Sequence, residues 1–381
     1  MNHRQHELMK KRIVIVKNHH PIDNDPRVIN LIKMLKNDYQ TTYLGWNRKS
    51  KDYSYNFVNR GHYNSVILNK HAPIGPRSVF FLPLWWFFVL SCLLRLDWDI
   101  VHVINFSSLP PSILAAKLKN KPVIYDILDT FEDQTPLPNF LRILMFQIDK
   151  WLMKHVEAVV LVDEMQVEEF GGIPNPNIII LYDTPEPLPV PAKKSEKNHV
   201  FTLFHPGYLD KERNLNLEAL IEAVKHIEGI RVIFAGEGNL VEEIKSKSRE
   251  MPDKIVYIGR IPYQKVLEMS YEVDLYFQLR EPYPRHQKYI CGSKLFQALM
   301  CGKPVLVHKG TSTAIKVLNA NCGIVVNAHN IQEIREAILK LKNDKEFWRR
   351  LAVNAKKAYE QKYGWEIMKH RLLTLYSKIS Q

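Results

Sequence analysis

Cysteine is scarce in this chain, and its four copies lie far apart in the sequence. None stands in a C-x-x-C pair or beside a histidine at metal-ligand spacing. The pattern predicts free thiols in a reducing cytosol and no metal site. The N-terminus is polar and basic through Arg12 and so lacks the apolar core of a secretory signal, and we expect a cytoplasmic protein. The cysteines are Cys92, Cys291, Cys301 and Cys322.

Other signals are absent as well. The chain has no low-complexity tract, no convincing internal repeat and no zinc-finger, KH or RRM signature, so we expect no nucleic-acid partner. A composition of 46% hydrophobic and 24% charged residues is that of an ordinary globular protein. Because 381 residues are too many for one ordinary core, two domains are expected.

Positive charge is concentrated in the first third of the chain. The net charge is +13, and residues 1–121 hold 18 Lys or Arg against 7 Asp or Glu, whereas residues 122–190 hold 3 against 12. Such a basic surface suits nucleic acid, anionic lipid or a phosphorylated substrate, and charge alone does not choose between them.

Short apolar strands alternate with amphipathic helices along most of the chain. The run R-I-V-I-V at 12–16 is typical of a buried parallel strand, and a helical pattern at 27–36 follows it. The alternation predicts an α/β protein made of two doubly wound, Rossmann-like domains that face a cleft. The expected parts are a first domain at 1–185, a linker at 186–198, a second domain at 199–362 and a C-terminal helix at 363–381 that packs on the first domain.

One segment breaks this alternation, since residues 79–94 are apolar almost throughout. Their aromatic content and the surrounding cations favour a helix lying in a membrane interface. A buried helix or a packing surface between lobes is the main alternative, and a membrane span is a third, for which the run is slightly short. The residues predicted to contact an anionic membrane surface are Trp85, Trp86, Phe87 and Phe88.

Glycines and cations follow the strands of the second series. In H-P-G-Y-L-D-K-E-R-N, Gly207 permits a tight turn and Arg213 can reach a phosphate, and G-E-G at 236–238 lets the backbone approach a ligand. Arg260 and Arg280 follow the next two strands. Each feature alone is usually a turn or a solvated cation, but their convergence at consecutive strand ends predicts a nucleoside diphosphate site.

The stretch C-G-S-K-L-F-Q-A-L-M-C-G-K-P-V at 291–305 predicts a short helix with Ser293 as its N-cap and Gly302 as its stop. Lys294 in the first turn opposes the helix dipole unless a phosphate docks there. Gln297, one turn on, points toward the N-terminus of the helix and could bind a ribose diol, although a surface position is the simpler interpretation.

These motifs resemble those of family 4 glycosyltransferases. G-S-K-L-F-Q-A-L-M-C-G-K-P-V is similar to the donor stretch of that family, and H-P-G-Y-L-D-K-E-R-N is similar to its diphosphate loop. The sequence departs from the family at Gln297 and Tyr289, where two Glu are common, at Tyr208, where a basic residue is usual, and at Ile104, where a His is often found.

The resemblance implies a GT-B fold and a retaining, metal-independent enzyme without a cofactor. It implies transfer of a sugar from a nucleotide sugar, with a UDP-linked donor expected, to a hydroxyl acceptor. The basic first domain and the apolar run at 79–94 suggest an acceptor presented at the inner face of the cell membrane, a glycolipid or a polyprenyl-linked glycan. The implied catalytic residues are Arg213, on the β-phosphate, Lys294 and His102, although a packed strand-end role is an alternative for His102. The donor set is Gly207, Tyr208, Gly236, Gly238, Arg260, Gly292, Ser293, Lys294, Leu295 and Gln297, and the acceptor set is Asn18, His19, Arg27 and Asp129.

Two other functions remain open at this point. A nucleotide-sugar epimerase or hydrolase could use the same two-lobed fold. The loss of a carboxylate at Gln297 also leaves room for a catalytically weak homologue that acts as an assembly partner.

Overall fold

The structure is a computed structural model, and it describes residues 10–19, 25–73, 76–130, 138–189, 200–211, 216–282 and 286–380. The chain forms two compact units. Unit 1 comprises residues 1–181 together with 369–381, and unit 2 comprises residues 182–368. Each unit is built around one sheet of its own.

The sheet of unit 1 has eight strands in the order β3-β4-β2-β1-β5-β6-β7-β8. All neighbouring pairs are parallel except β3 with β4, which is antiparallel. The strands are β1 (Arg12–Val16), β2 (Gln40–Asn47), β3 (Ser54–Asn59), β4 (Asn64–Asn69), β5 (Ile100–Ile104), β6 (Val123–Ile127), β7 (Ala158–Leu161) and β8 (Ile178–Ile180).

Helices connect these strands, and Asp25 caps the first of them by accepting a hydrogen bond from the Val28 amide. Short 3₁₀ turns lie at Pro76–Phe81, Phe106–Ser108 and Met153–His155. The helices are α1 (Pro26–Leu35), α2 (Leu82–Arg95), α3 (Leu109–Lys119), α4 (Asn139–Leu152) and α5 (Gln166–Glu169).

The sheet of unit 2 has six parallel strands in the order β11-β10-β9-β12-β13-β14. They are β9 (Phe201–Tyr208), β10 (Ile230–Glu237), β11 (Ile255–Tyr257), β12 (Leu275–Gln278), β13 (Val305–His308) and β14 (Gly323–Val326). Its helices are α6 (Leu217–Val224), α7 (Val241–Glu250), α8 (Tyr263–Glu272), α9 (His286–Tyr289), α10 (Ser293–Met300), α11 (Ser312–Ala320), α12 (Ile331–Asn343) and α13 (Lys345–Ala358).

Parallel strands alternate with helices in both units, as the hydrophobic pattern predicts. Buried Val, Ile and Leu side chains fill both sheets, which is typical of parallel sheets with helices on their two faces. The prediction of two doubly wound α/β domains is therefore confirmed. The last helix, α14 (Trp365–Ile379), follows a π-helical turn at Tyr359–Tyr363, and its residues from Lys369 onward pack within unit 1.

A buried charged cluster joins α14 to the sheet of unit 1. Arg27 donates two hydrogen bonds of 2.8 Å to the Asp126 carboxylate and one of 2.7 Å to the Leu181 carbonyl. His102 lies between Asp126, at 3.0 Å from Nε2, and the Tyr376 hydroxyl of α14, at 2.7 Å from Nδ1. Burial opposes ionisation of Asp126, but the Arg27 charge and the hydrogen bonds from His102 and Arg27 hold its pKa at about 2.

This cluster corrects two predicted roles. His102 is 0% exposed and Arg27 is 3% exposed, and their polar atoms bond to protein groups. A side chain buried in this way is not available to a substrate. His102 therefore acts as a packed residue of β5 and not as a catalytic residue, and Arg27 does not bind an acceptor.

The apolar segment at 79–94 forms α2 and the turn before it, and one face of α2 enters the core. Trp85 is fully buried, stacks on Trp46 at a centroid distance of 5.7 Å and donates to Ser108 Oγ at 3.1 Å. Trp86 is half-buried, and its indole donates to the Ser107 carbonyl at 2.8 Å. Rings buried in the core are unavailable to lipid. Trp85 and Phe88, which is 8% exposed, are thus wrong as membrane contacts, whereas the contacts predicted for the half-buried Trp86 and for Phe87, which is 69% exposed, stay predictions.

Among the described residues, Arg77–Arg95 is the one helical segment long and apolar enough to cross a bilayer, with a mean hydropathy of 1.8. A core helix can pass the same test, but only 28% of the most apolar window of this segment is buried inside the protein. The buried face of α2, with Trp85, Phe88, Val89 and Leu93, belongs to the core of unit 1, and its other face stays outside it.

The Asp126→Asn variant tests the buried cluster. It leaves Arg27 buried without its anion, and breaking a buried ion pair costs about 3–5 kcal/mol. We expect the thermal midpoint of unit 1 to fall by about 10 °C. Because the pKa of Asp126 lies below the value of about 3.9 in an unfolded chain, the stabilisation is present above about pH 4 and is lost as the pH falls toward about 2.

The matched control is Asp97→Asn, because Asp97 is 76% exposed and pairs with Arg12 at the surface. A surface pair contributes about 0–1 kcal/mol, so this variant should melt close to the wild type in calorimetry. Equal midpoints for the two variants would show that the cluster does not stabilise unit 1.

Candidate donor site

Two strand ends approach each other closely in unit 2. Gly207 in β9 pairs with Gly236 in β10, and a Cβ atom at Gly236 would lie 1.8 Å from the Gly207 carbonyl oxygen. Gly207 has a φ of +113°, in a region that side chains rarely adopt. A Cβ atom at Gly238 would likewise lie 2.4 Å from the Leu209 carbonyl oxygen. These glycines let the backbones meet at the carboxyl end of the sheet, where open α/β sheets bind ligands.

Helix α10 begins at this same sheet edge. The sequence predicts Ser293 as its N-cap, but the N-cap in the structure is Gly292. No side chain therefore caps the first turn. Without a capping hydroxyl, the amides of the first turn are more accessible to an anion. Gly302, with a φ of +61°, follows the helix as predicted.

Two cations converge on the Gly207 turn. The Lys294 ammonium lies over the turn, because a Cβ atom at Gly207 would be 3.0 Å from its Nζ. Arg280, which follows β12, donates to the Tyr208 carbonyl at 3.0 Å. The turn, the first turn of α10 and these two side chains form what we call the Gly207 anion site. A phosphate group suits such a combination of amides and cations.

His205 is close enough to the positive charges of this site to be affected by them. The sequence pattern does not identify it. It is 0% exposed, and its Nδ1 lies 3.0 Å from the Phe277 carbonyl oxygen. Burial lowers the pKa of His205 well below its usual value, and the charges of Lys294 and Arg280 lower it further. A histidine within a strand carries no sequence signal of such a position, because most are core residues.

Two predicted donor contacts lie in the core. Leu295 is 0% exposed, and its amide bonds to the Gly292 carbonyl at 3.3 Å. Gln297 is 4% exposed, and its amide contacts the Tyr263 hydroxyl. The body of α10 is covered on all sides, since Leu295–Met300 are all buried. Both side chains therefore lie in the packed body of α10, and neither is exposed to a ribose in this structure.

The remaining donor residues lie near the sheet edge. Tyr208 is 51% exposed, and Ser293 and Lys294 are half-buried. Arg260 pairs at 3.2 Å with Glu237, next to Gly236 and Gly238. Arg213 lies outside the described residues, so its role on the β-phosphate stays a prediction.

The acceptor residues predicted in unit 1 stay predictions, apart from Arg27. Asn18 and Asp129 are half-buried, and His19 is exposed, with a carbonyl that accepts from the Tyr43 hydroxyl. Within the described ranges, no three His, Cys, Asp or Glu side chains cluster in a way that could hold a metal ion. The expectation of metal-independent chemistry likewise stays a prediction.

Residues 191–358 match the sequence model of the family described as Glycosyl transferases group 1. The uncharacterized glycosyltransferase MJ1069 of Methanocaldococcus jannaschii is 24% identical over 181 residues, which are 46% of this chain. The chain spans 44% of the length of that relative.

Two solved structures are similar over nearly the whole chain. A trehalose-6-phosphate synthase, studied for glycosyltransfer with retention, has a TM-score of 0.71 at 10% identity and covers 97% of this chain and 99% of its own. Anabaena Alr3699/HepE in complex with UDP and glucose has a TM-score of 0.66 at 14% identity and covers 97% and 100%. At these identities the likeness shows the fold, which is GT-B.

The fold and the family match together define the class of the protein. Residues 191–358 are similar to group 1 glycosyltransferases, and the prediction of a glycosyltransferase enzyme is confirmed at the level of the enzyme class. The Gly207 anion site lies within the matched residues.

A Gly236→Ala variant tests the strand approach. Its Cβ atom has no room against the Gly207 carbonyl, so the turn must move. Displacement of a binding group by about 1 Å can cost up to about 100-fold, and we expect UDP affinity to fall by about that factor in calorimetry.

The control is Gly172→Ala, because Gly172 also has a positive φ, +93°, but a Cβ atom there meets nothing within 4 Å. This variant carries backbone strain without a clash and should bind UDP normally. Normal affinity in Gly236→Ala would mean that the strand approach does not shape the site.

Proposed function

We propose that the protein transfers a sugar from a nucleotide sugar, UDP-linked in the simplest case, to a hydroxyl acceptor with retention at the anomeric carbon. The observation that carries this proposal is the convergence of Lys294 and Arg280 on the Gly207 turn. A nucleoside diphosphate is the leaving group of such a reaction, and negative charge grows on it as the glycosidic bond breaks.

The chemistry asked of the protein is mainly electrostatic. Preorganised cations and amides stabilise charge that develops in the transition state more than charge already present in the substrate. Lys294, Arg280 and the first turn of α10 supply such groups at one sheet edge. Arg213 would add a further cation on the β-phosphate.

The finer parts of the proposal have separate support. UDP is bound by the HepE structure, and retention is the subject of the trehalose-6-phosphate synthase work. The basic first unit and the exposed Phe87 in the apolar run at 79–94 support a lipid-linked or glycan acceptor, bound near Asn18, His19 and Asp129. We place the reaction in the cytoplasm, at the inner face of the cell membrane, because the chain has four free cysteines and a basic first unit.

Removal of one cation from the Gly207 anion site should weaken binding strongly. A hydrogen bond to a charged group contributes about 1.5–3 kcal/mol, so Lys294→Ala and Arg280→Ala should each lower UDP affinity by about 10- to 100-fold. Calorimetric titration with UDP measures this, and turnover of UDP-glucose with a lipid extract as acceptor should fall by at least as much.

Lys245→Ala is the matched control, because Lys245 pairs with Glu242 on the exposed surface of α7 in the same unit. It should bind UDP as the wild type does. Unchanged binding in both site variants would contradict the assignment. Free sugar or a sugar epimer without an acceptor product would instead favour the hydrolase or epimerase alternative, and UDP binding without any turnover would favour the weak homologue.

A further inference from the structure

Two rows of side chains cross the sheet of unit 1 and end in aromatic residues on its edge strand. One row runs from Trp46 through Leu68 to Tyr55, as the strand register shows. The other runs from Leu44 through Val66 to Phe57. Residues directly opposite each other in neighbouring strands lie on the same face of a sheet, so both aromatic residues continue a core face.

The inner and outer ends of these rows differ sharply in exposure. Leu68 and Val66 are 2% and 7% exposed, and α2 packs over this face through Trp85. Tyr55 and Phe57 are 65% and 62% exposed. Tyr53 is 64% exposed and lies two residues before Tyr55, so the alternation of side chains places it on the same side. Three large aromatic side chains therefore line one side of β3 in solvent. Such clusters on a surface commonly mark an interaction site.

Cations surround this aromatic stripe. Residues 46–77 contain six Lys or Arg and one acid, Asp52. The Lys70 ammonium lies 5.5 Å from the centre of the Tyr53 ring, and Lys49, Lys51 and Arg60 are exposed beside β3. The stripe and these cations form what we call the β3 aromatic surface.

The charge decides between two occupants of this surface. An edge strand can pair with the edge of a second copy, but two copies would bring their cations together, and lysines at an edge oppose such pairing. An anionic lipid surface attracts each Lys or Arg near it by about 1 kcal/mol, and Tyr and Phe rings suit the headgroup region.

We propose that the β3 aromatic surface docks unit 1 on an anionic bilayer. The rings of Tyr53, Tyr55 and Phe57 enter the interface between headgroups and acyl chains, and the flanking cations bind the lipid charges. This site differs from the one predicted on α2, whose Trp85 and Phe88 lie in the core. It goes beyond the transfer reaction, because it needs neither a donor nor an acceptor.

Vesicle co-sedimentation of the full chain tests the proposal, with phosphatidylcholine vesicles that contain or lack about 30% phosphatidylglycerol, a fraction chosen to give a clearly anionic surface. We expect binding to the anionic vesicles that weakens with salt. A Tyr55→Ser/Phe57→Ser variant should lose at least about tenfold in partition coefficient. A Lys49→Glu/Lys51→Glu variant, which leaves both rows intact, should lose a similar factor.

The chain offers a control with equally exposed apolar residues and few cations. Phe140 and Ile143 of α4 are 69% and 65% exposed and lie in the acidic stretch 122–190. A Phe140→Ser/Ile143→Ser variant should bind vesicles as the wild type does. Lys294→Ala should also bind normally, which separates failure of this proposal from failure of the donor assignment.

Four results would overturn the proposal. The wild type could fail to bind anionic vesicles, or the β3 variants, checked for folding by their thermal midpoints, could bind as well as the wild type. A loss of binding in the α4 variant equal to that in the β3 variants would show nonspecific hydrophobic binding instead. A dimer in sedimentation equilibrium that the Tyr55→Ser/Phe57→Ser variant abolishes, with vesicle binding intact, would identify a second copy as the occupant.

Discussion

The close approach of two backbones, at Gly207 and Gly236, is the constraint on which the candidate donor site depends. Gly236 has a φ of +149°, so a Cβ atom there would point at the neighbouring strand and meet the Gly207 carbonyl oxygen. Lys294 lies over the Gly207 turn, and Arg280 donates to the Tyr208 carbonyl of the same turn. Loss of either glycine would therefore move groups that are far from it in sequence, because all of them are positioned by one turn.

Charged groups occur in both units, and their surroundings decide what they can do. In unit 1, Arg27 and Asp126 are buried and bond to each other. This buried ion pair therefore links the strands and α14. In unit 2, Lys294 is half-buried at a sheet edge, beside amides that no side chain caps. A cation in that setting lies next to the place where a phosphate would bind the amides. Sequence alone does not separate these two cases.

Local pattern predicted most of the fold, since β1 begins and ends where the apolar run does and α10 ends at the expected glycine. It did not predict which side chains reach a ligand, because that depends on contacts between distant segments. His102 lies near the end of its strand, as the sequence pattern indicates. Its Nδ1, however, forms a hydrogen bond with the hydroxyl of Tyr376, which is far along the chain. Gln297 has the right helical offset, but packing around α10 buries it. Register and burial, not residue type, decide where both side chains lie.

The two apolar segments of unit 1 show why composition is a poor guide to a membrane surface. The run at 79–94 is strongly apolar, and for that reason the protein buries one face of it against Trp46. The segment at 53–57 alternates aromatic and small or polar residues, so its mean hydropathy is unremarkable, but the period of two puts every aromatic on one side. β3 is the last strand of the sheet, so among the described residues no further strand pairs with its outer edge. An interfacial surface needs apolar groups that folding leaves outside, together with charge beside them, and β3 supplies both.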